Sequence, residues 1–152
     1  MNLAYAIAIT AEFFKDVTDK GGRPYILHCL AVMYSLNSLD DELNCIAVMH
    51  DLIEDSNGVY TYQKLKDLGF SQRVIVGIDG VTKRQGESYD DFIERSSGNF
   101  DSLRVKKADL QHNSLIQRLK GISDKDKARM MKYHESYLYL CQKEQNYIFK
   151  VS

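Results

Sequence analysis

The chain has few residues that break helices and no excess of charge that would point to a polyanionic partner. Pro24 is the only proline among 152 residues, and glycine occurs nine times. The 20 lysines and arginines nearly balance the 21 acids, which leaves a formal net charge of -1. This balance argues against a nucleic-acid polymer or an anionic membrane surface as the partner, because both attract a strongly basic surface.

Paired cysteines and long apolar runs are also missing. Cys29, Cys45 and Cys141 are odd in number, widely spaced and embedded in apolar segments, which is typical of reduced thiols in a protein core. The apolar residues at the N-terminus lack a basic leader and a cleavage site. No stretch approaches the roughly eighteen apolar residues of a membrane span. We therefore expect a cytoplasmic protein without a membrane partner.

The pattern that is present is helical. Apolar residues recur at helical spacing along most of the chain, and the alternation typical of strands is almost absent. The length suits one hydrophobic core, so we predict an all-α fold in which 1–152 form a single domain, an irregular helical bundle. The predicted helices lie near 2–18, 24–36, 40–53, 61–67, 71–83, 88–96, 99–119 and 123–147.

Local signals support several of these boundaries. Asp40, Ser71 and Ser123 are candidate N-caps, since their side chains can accept hydrogen bonds from the first backbone amides of a helix. The segment 60–62 is also compatible with a short strand because of its aromatic and β-branched residues, although a helix after Thr61 is favoured. Tyr133, Tyr137 and Leu140 recur at helical spacing and are expected to pack in the core.

The segment at 47–55 carries the most chemical information. An apolar stretch there ends in four ionisable side chains, His50, Asp51, Glu54 and Asp55. Such groups are costly to bury unless a metal, a partner or water satisfies them. In a continuous helix Glu54 would lie one turn after His50, and Asp55 one turn after Asp51. One helix end would thus offer two ligands and two further carboxylates.

Two other apolar segments contribute residues of the same kind. His28 lies in one of them, and Asp109 forms an i, i+4 pair with Asn113 in the other. Two imidazoles and two carboxylates form a mixed nitrogen and oxygen set, which suits manganese, iron or zinc better than calcium or magnesium. The absence of cysteine ligands argues against a structural zinc site.

Taken singly, each residue also has a structural interpretation. A lone histidine in an apolar helix, such as His28, is more often a satisfied core residue than a ligand. The dipeptide of His50 and Asp51 occurs by chance in many proteins, and 54–57 are compatible with the polar end of a helix. Asp109 is compatible with a cap or a pair with Lys106 or Lys107. His112 is compatible with contact to the site or with simple exposure.

Four short motifs follow one another along the chain. They are YILHCLAV at 25–32, HDLIED at 50–55, DGVTK at 79–83 and VKKADLQHN at 105–113. In order and content they resemble the motifs YIxHPLxVA, HDxxED, DGVTK and VKxADxxHN of the HD-domain superfamily. Within it they resemble those of the RelA/SpoT-type hydrolases of the alarmone (p)ppGpp. The resemblance covers roughly residues 20 to 120.

The resemblance implies an HD-domain helical bundle with a defined site. Glu54 and Asp55 match the catalytic acidic pair of the family, and Asn113 matches a residue near the ribose or phosphates of the substrate. The implied activity is removal of the 3′-pyrophosphate from guanosine tetra- and pentaphosphate, usually with manganese. The implied metal ligands are His28, His50, Asp51 and Asp109. The cations available for the phosphates include Lys20, Lys83 and Arg118.

One departure from the family pattern affects the substrate. The family carries an arginine that helps to hold the purine base, and Asp19 stands at its position here. A carboxylate cannot stack on a base as a guanidinium does. The alternatives are therefore an HD-type phosphatase or phosphodiesterase acting on another nucleotide, or a non-catalytic nucleotide sensor. The sequence leaves the oligomeric state open.

Overall fold

The computed structural model describes residues 2–151, and every regular element in this range is helical. Thr18 and Pro24 form an isolated antiparallel bridge, and no strand occurs in the same range. The all-α prediction is therefore confirmed. The helices are α1 (Leu3–Phe13), α2 (Ile26–Ser35), α3 (Asp41–Val48), α4 (Leu52–Asp55), α5 (Tyr62–Asp67), α6 (Gln72–Val81), α7 (Tyr89–Ser97), α8 (Phe100–Asn113) and α9 (Asp124–Val151), with a 3-10 turn at Ile116–Arg118.

Side-chain caps start most of these helices. Asp40 accepts hydrogen bonds from the amides of Glu42 and Leu43, and Ser71 accepts one from Val74, so both predicted caps are confirmed. The Ser123 hydroxyl accepts a hydrogen bond from the Asp126 amide, so the third predicted cap is confirmed as well. Each cap satisfies backbone donors that a helix leaves without a partner in its first turn. The side chains that cap in this way at four further starts are Asn2, Thr61, Ser88 and Asn99.

The first predicted helix, 2–18, is too long, because the chain leaves α1 after Phe13. Phe14 is buried, and beyond it the chain folds into a loop over 17–25. Asp19 stabilises that loop, since its Oδ1 atom accepts from the amides of Gly21 and Arg23, both over 2.9 Å. Aspartate often stabilises turns through such bonds to nearby amides.

The predicted helix 40–53 is interrupted, and the interruption lies at the most informative residues. Helix α3 ends at Val48, and α4 begins at Leu52. The imidazole Nδ1 of His50 lies 2.8 Å from the carbonyl oxygen of Ala47. In a continuous helix that oxygen would accept the Asp51 amide instead. The side chain of His50 thus replaces a helical hydrogen bond, and the histidine and aspartate lie in a turn.

Other boundaries differ by smaller amounts. The predicted helix 99–119 ends at Asn113, where the Ser114 hydroxyl donates to the Leu110 carbonyl over 2.6 Å, and the 3-10 turn follows. Helix α9 continues to Val151 rather than ending near 147. The Leu110 carbonyl also accepts the Ser114 backbone amide over 3.0 Å, so this serine satisfies the last turn of α8 with both groups.

The core is centred on α3, which packs against α1, α2, α6 and α8. Leu43, Ile46, Ala47 and Val48 are fully buried there. Helix α6 comes close to its neighbours because two glycines face them. A Cβ atom on Gly77 would overlap Ile46, and one on Gly80 would overlap Ser102. These contacts fix the end of α6 and the turn that follows it.

The C-terminal helix forms a second packed layer. Leu140 is fully buried, and Tyr133 and Tyr137 pack against it, so their predicted core role is confirmed. Cys29 and Cys45 are buried free thiols, whereas Cys141 is only half-buried. No helix within residues 2–151 combines the length and apolar character needed to cross a bilayer.

Candidate metal centre

The structure brings the four predicted ligands together from three parts of the fold. His28 comes from α2, His50 and Asp51 from the turn between α3 and α4, and Asp109 from α8. His28 Nε2 lies 3.2 Å from His50 Nε2 and 3.2 Å from Asp109 Oδ1. Asp51 Oδ2 lies 2.8 Å from His50 Nε2 and 3.6 Å from His28 Nε2. Both histidines and Asp109 are buried.

These separations fit a shared cation. Two donor atoms that each lie about 2.1 Å from an ion are about 3.0–3.4 Å apart at bond angles of 90–109°. The ligand atoms of His28, His50 and Asp51 all lie within 4.8 Å of one another. Asp109 Oδ1 approaches both imidazoles, at 3.2 and 3.5 Å. The donor set is mixed nitrogen and oxygen, which suits a first-row divalent ion.

The hydrogen bonds of the two imidazoles also fit metal binding. His50 Nδ1 donates to the Ala47 carbonyl, which leaves Nε2 as the ring atom available to bind a metal. His28 Nδ1 lies 2.7 Å from His112 Nδ1. When His28 Nε2 serves as a ligand, its Nδ1 carries the proton and donates it to His112. Outer hydrogen bonds of this kind orient metal-binding histidines and set their tautomers.

His112 therefore contacts the site rather than lying exposed. Partial burial and the positive charge of Arg118 lower the pKa of His112 to about 4. The His112 ring is therefore neutral near pH 7 and can accept a hydrogen bond from His28 Nδ1. The sequence left two interpretations of this residue open, and the structure supports contact with a ligand.

The acids and imidazoles shift one another's pKa values. Burial disfavours charge on Asp109, but Lys106 and the two imidazoles hold its pKa well below its usual range. Burial also opposes charge on His50, yet Asp51 and Asp109 raise its pKa. The carboxylates therefore stay ionised at neutral pH, which is the form that binds metals.

Asp109 has two further partners on its own helix. Lys106 Nζ donates to Asp109 Oδ2 over 2.8 Å, and Asn113 Nδ2 donates to Oδ1 over 2.6 Å. The ion pair with Lys106 agrees with the structural interpretation of Asp109. It coexists with the approach of Oδ1 to the histidines, because the two contacts use different oxygen atoms.

Tyr25 is a member of the site that sequence reasoning did not identify. Its hydroxyl donates to Asp51 Oδ2 over 2.5 Å. Burial and the charge of Asp51 raise the pKa of Tyr25, so the phenol stays protonated and remains a donor. The only signal in the sequence is its position one turn before His28.

Glu54 and Asp55 lie on α4, directly after the ligand turn, and both are exposed. Partial burial and the charges of Asp51 and Glu54 raise the pKa of Asp55 to about 6. Glu54 Oε2 accepts the backbone amide of Lys83 over 3.0 Å. Lys83 thus contacts the acidic pair through its main chain, and it does not line the cavity of about 310 Å³ next to the site, so a phosphate contact of its side chain stays a prediction.

That cavity, of about 310 Å³, connects to the candidate centre through two residues. Tyr25 and Asn113 line it, and they hydrogen-bond to Asp51 and Asp109 respectively. Two of the predicted phosphate cations, Lys20 and Arg118, also line it, but Lys83 does not. Sequence reasoning missed the other polar lining residues of note, which are Arg129 and Tyr133.

Asp19 and Arg118 form an ion pair in the cavity wall. Arg118 Nη2 donates to Asp19 Oδ2 over 3.0 Å, and the two side chains are 16% and 11% exposed. A second cavity, of about 350 Å³, shares this pair and is lined by His28 and His112. The pair therefore separates two cavities that flank the candidate centre.

The chain resembles known proteins in its structure. No protein-family model matches the chain, and no curated protein matches it. Among solved structures it is similar to a metazoan ortholog of SpoT, described as hydrolysing ppGpp and as playing a role in starvation responses. The two share 15% sequence identity with a TM-score of 0.74, over 99% of this chain and 95% of that one. The chain therefore shares the all-helical fold of that protein, in agreement with the predicted helical bundle.

Proposed function

We propose that the chain is a metal-dependent hydrolase that removes the 3′-pyrophosphate from guanosine tetra- and pentaphosphate or similar nucleotides. The observation that carries the proposal is the convergence of His28, His50, Asp51 and Asp109, with the two Nε2 atoms 3.2 Å apart and each within 3.6 Å of both carboxylates. The fold shared with the SpoT ortholog and the four ordered motifs support the same activity.

His28, His50, Asp51 and Asp109 would hold a divalent ion, which would supply Lewis acidity and could lower the pKa of water from 15.7 towards about 7. Manganese is our first choice, and another first-row divalent ion would suit the same donors. Tyr25, Asn113 and Lys106 orient the two carboxylate ligands through their hydrogen bonds.

Glu54 and Asp55 would transfer the proton of the attacking water. Water attacks the phosphorus atom that is bonded to the 3′ oxygen of the ribose, and the bond between that phosphorus and the 3′ oxygen breaks. The electron pair stays on the 3′ oxygen, which receives from the acidic pair the proton that the water has lost, and pyrophosphate leaves with the oxygen of water. A carboxylate of the acidic pair accepts the water proton, and a general base of this kind contributes about 10²–10⁴-fold to the rate.

The cavity suits an anionic nucleotide. Its volume of about 310 Å³ is near the lower end of ordinary ligand pockets, which span about 300–1,000 Å³. Lys20, Arg118 and Arg129 supply positive charge for phosphates, and Asn113 supplies a neutral donor. Tyr133 adds an aromatic surface for a base. We assign phosphate contacts to Lys20 and Arg118, and we assign none to the side chain of Lys83.

Asp19 favours a second candidate, an HD-type phosphatase or phosphodiesterase that acts on a different nucleotide. Its carboxylate lies in the wall of the cavity and is paired with Arg118. The same ligands support either reaction, because the metal activates water without selecting the substrate.

A substrate panel separates these functions. The purified protein is incubated with Mn²⁺, with Mg²⁺ or with a chelator, and with guanosine 3′,5′-bis(diphosphate), a nucleoside monophosphate or a cyclic nucleotide. Pyrophosphate release from the first compound alone supports our proposal. Orthophosphate release or opening of the cyclic nucleotide supports the second candidate. Tight nucleotide binding without any metal-dependent turnover indicates a sensor and overturns both.

A further inference from the structure

We infer that Arg95, on α7, is a positioning residue for Glu54 and acts through the peptide group between Thr82 and Lys83. The inference rests on the proposed function, because it assigns Glu54 a part in the reaction. It adds a residue that neither contacts the candidate metal ligands nor lines the 310 Å³ cavity.

The side chain of Glu54 needs a contact that restricts its conformational freedom. Glu54 is exposed and lies on a helix of only four residues. A solvated glutamate of this kind samples several rotamers, and a general base must stay within hydrogen-bond reach of its proton. The amide of Lys83, which donates to Oε2 over 3.0 Å, restricts that freedom.

Both ends of one peptide group take part in the contact. The Lys83 N–H donates to Glu54, and the carbonyl of the same peptide, that of Thr82, accepts from Arg95 Nη2 over 2.8 Å. A peptide bond is planar and normally trans, so its C=O and N–H point in opposite directions. A guanidinium that fixes the direction of the carbonyl therefore fixes the direction of the amide. Hydrogen bonds at both ends of a peptide also polarise one another.

Arg95 is itself held firmly. Its Nε and Nη2 atoms donate to the two carboxylate oxygens of Glu87, over 2.7 and 3.0 Å. Its Nη1 atom donates to the carbonyl of Asp79 over 2.7 Å, at the end of α6. The side chain is 21% exposed. The planar fork of the guanidinium is needed for three acceptors in fixed directions, and the ammonium of a lysine does not reproduce that geometry.

The buried end of α6 provides the other constraint on this turn. Gly80 packs against Ser102 without room for a Cβ, and the Ser96 hydroxyl donates to the Gly80 carbonyl over 2.6 Å. The turn at Thr82 and Lys83 is thus fixed by the core on one side and by Arg95 on the other. Glu54 is the exposed group that this rigid turn orients.

The test is a double-mutant cycle that combines Arg95→Lys with Glu54→Gln. Arg95→Lys should lower kcat by about 10- to 100-fold while KM and Mn²⁺ affinity stay within about twofold, since a misplacement of about 1 Å can cost a factor of 10². In the Glu54→Gln background the same change should have little further effect, because interacting residues are non-additive. Equal losses in both backgrounds would overturn the inference.

Arg73→Lys provides the matched control. Arg73 also bridges several acids, with Asp40 and Asp101 among its partners, but it does not touch the turn after α6. Its substitution removes a comparable network and should leave kcat within about twofold. A loss as large as that of Arg95→Lys would show a general response to lost arginine pairs, which contradicts a positioning role.

A second measurement does not depend on turnover. In the metal-free protein, Glu54→Gln and Arg95→Lys should each shift the Lys83 backbone amide resonance in the same direction, while Arg73→Lys leaves it in place. An unchanged Lys83 resonance in the Arg95→Lys protein would overturn the inference even if kcat fell. If the wild-type protein turns over no nucleotide, the proposed function fails, but this resonance still reports whether Arg95 orients the contact with Glu54.

Discussion

Arg118 donates to Asp19 across a separation of 99 residues in the chain, over 3.0 Å, and the pair forms the wall between the two cavities beside the candidate metal centre. Arg118 also donates to the backbone carbonyl of His112 and to the side chain of Asn113. These two residues hydrogen-bond to His28 and Asp109. The pair thus joins the loop at 17–25 to the candidate site.

Substitutions of Arg118 and of Asp19 are expected to change KM in opposite directions. Arg118→Gln should raise KM for an anionic nucleotide by about 10- to 100-fold, because a hydrogen bond to a charged group contributes about 1.5–3 kcal/mol. Asp19→Asn keeps an acceptor for the amides of Gly21 and Arg23 but releases the positive charge of Arg118, and should lower KM. Steady-state kinetics on both variants tests this. An equal rise in KM for both would indicate that the pair is only structural.

Asp109→Asn should abolish Mn²⁺ binding while the fold is retained. The amide keeps the shape of the side chain but loses the charge that a divalent ion requires. Titration calorimetry with Mn²⁺ measures the effect, and circular dichroism checks the fold. Asp101→Asn, on the same helix, removes a carboxylate that pairs with Arg73 and should bind Mn²⁺ normally. Wild-type affinity in Asp109→Asn would exclude Asp109 as a ligand.

His112→Phe should weaken Mn²⁺ binding by about 10- to 100-fold, the usual cost of removing an outer hydrogen bond from a metal-binding histidine. The aromatic ring preserves the packing against His28, whose ring centroid is 4.9 Å away. His134→Phe, at an exposed position on α9, is the matched control and should leave the affinity unchanged. Equal affinities for both variants would show that His28 does not depend on His112.

Glu87 should make the stability of the protein sensitive to acid. Its hydrogen bonds with Arg95 lower its pKa from 4.5 to about 2. The ionised Glu87 carboxylate stabilises the fold fully above about pH 4.5, and this contribution is lost as the pH falls towards 2. Urea unfolding of wild type and Glu87→Gln should therefore converge as the pH decreases through this window. A constant difference between them from pH 6 to pH 2 would contradict the effect.

Much of the fold followed from local signals, and the exceptions have local causes. The caps at Asp40, Ser71 and Ser123 were predictable because each acts on amides two or three residues away. The break after α3 was not, because it depends on His50 bonding to the Ala47 carbonyl instead of continuing the helix. Apolar periodicity alone carries no information about that choice.

In the candidate site, too, the features set by local sequence were predictable and those set by distant contacts were not. Its four candidate ligands were predicted from ordered motifs, and the contact between Asp109 and Asn113 follows from their i, i+4 spacing. Tyr25 and the pairing of Asp19 with Arg118 depend on how distant segments meet, which no local pattern encodes. The hydrogen bond from Lys83 to Glu54 was not predictable either, because it comes from the backbone amide, which every residue except proline carries.

The most direct measurement is the release of pyrophosphate from guanosine 3′,5′-bis(diphosphate) by the purified protein, titrated with Mn²⁺ and run beside Asp109→Asn. We expect release that saturates with Mn²⁺ as about one ion binds per chain, disappears with chelator and is lost in the variant. Pyrophosphate release that persists with chelator, or that is unchanged in Asp109→Asn, would contradict a hydrolase built on this metal centre, as would the absence of release at any Mn²⁺ concentration.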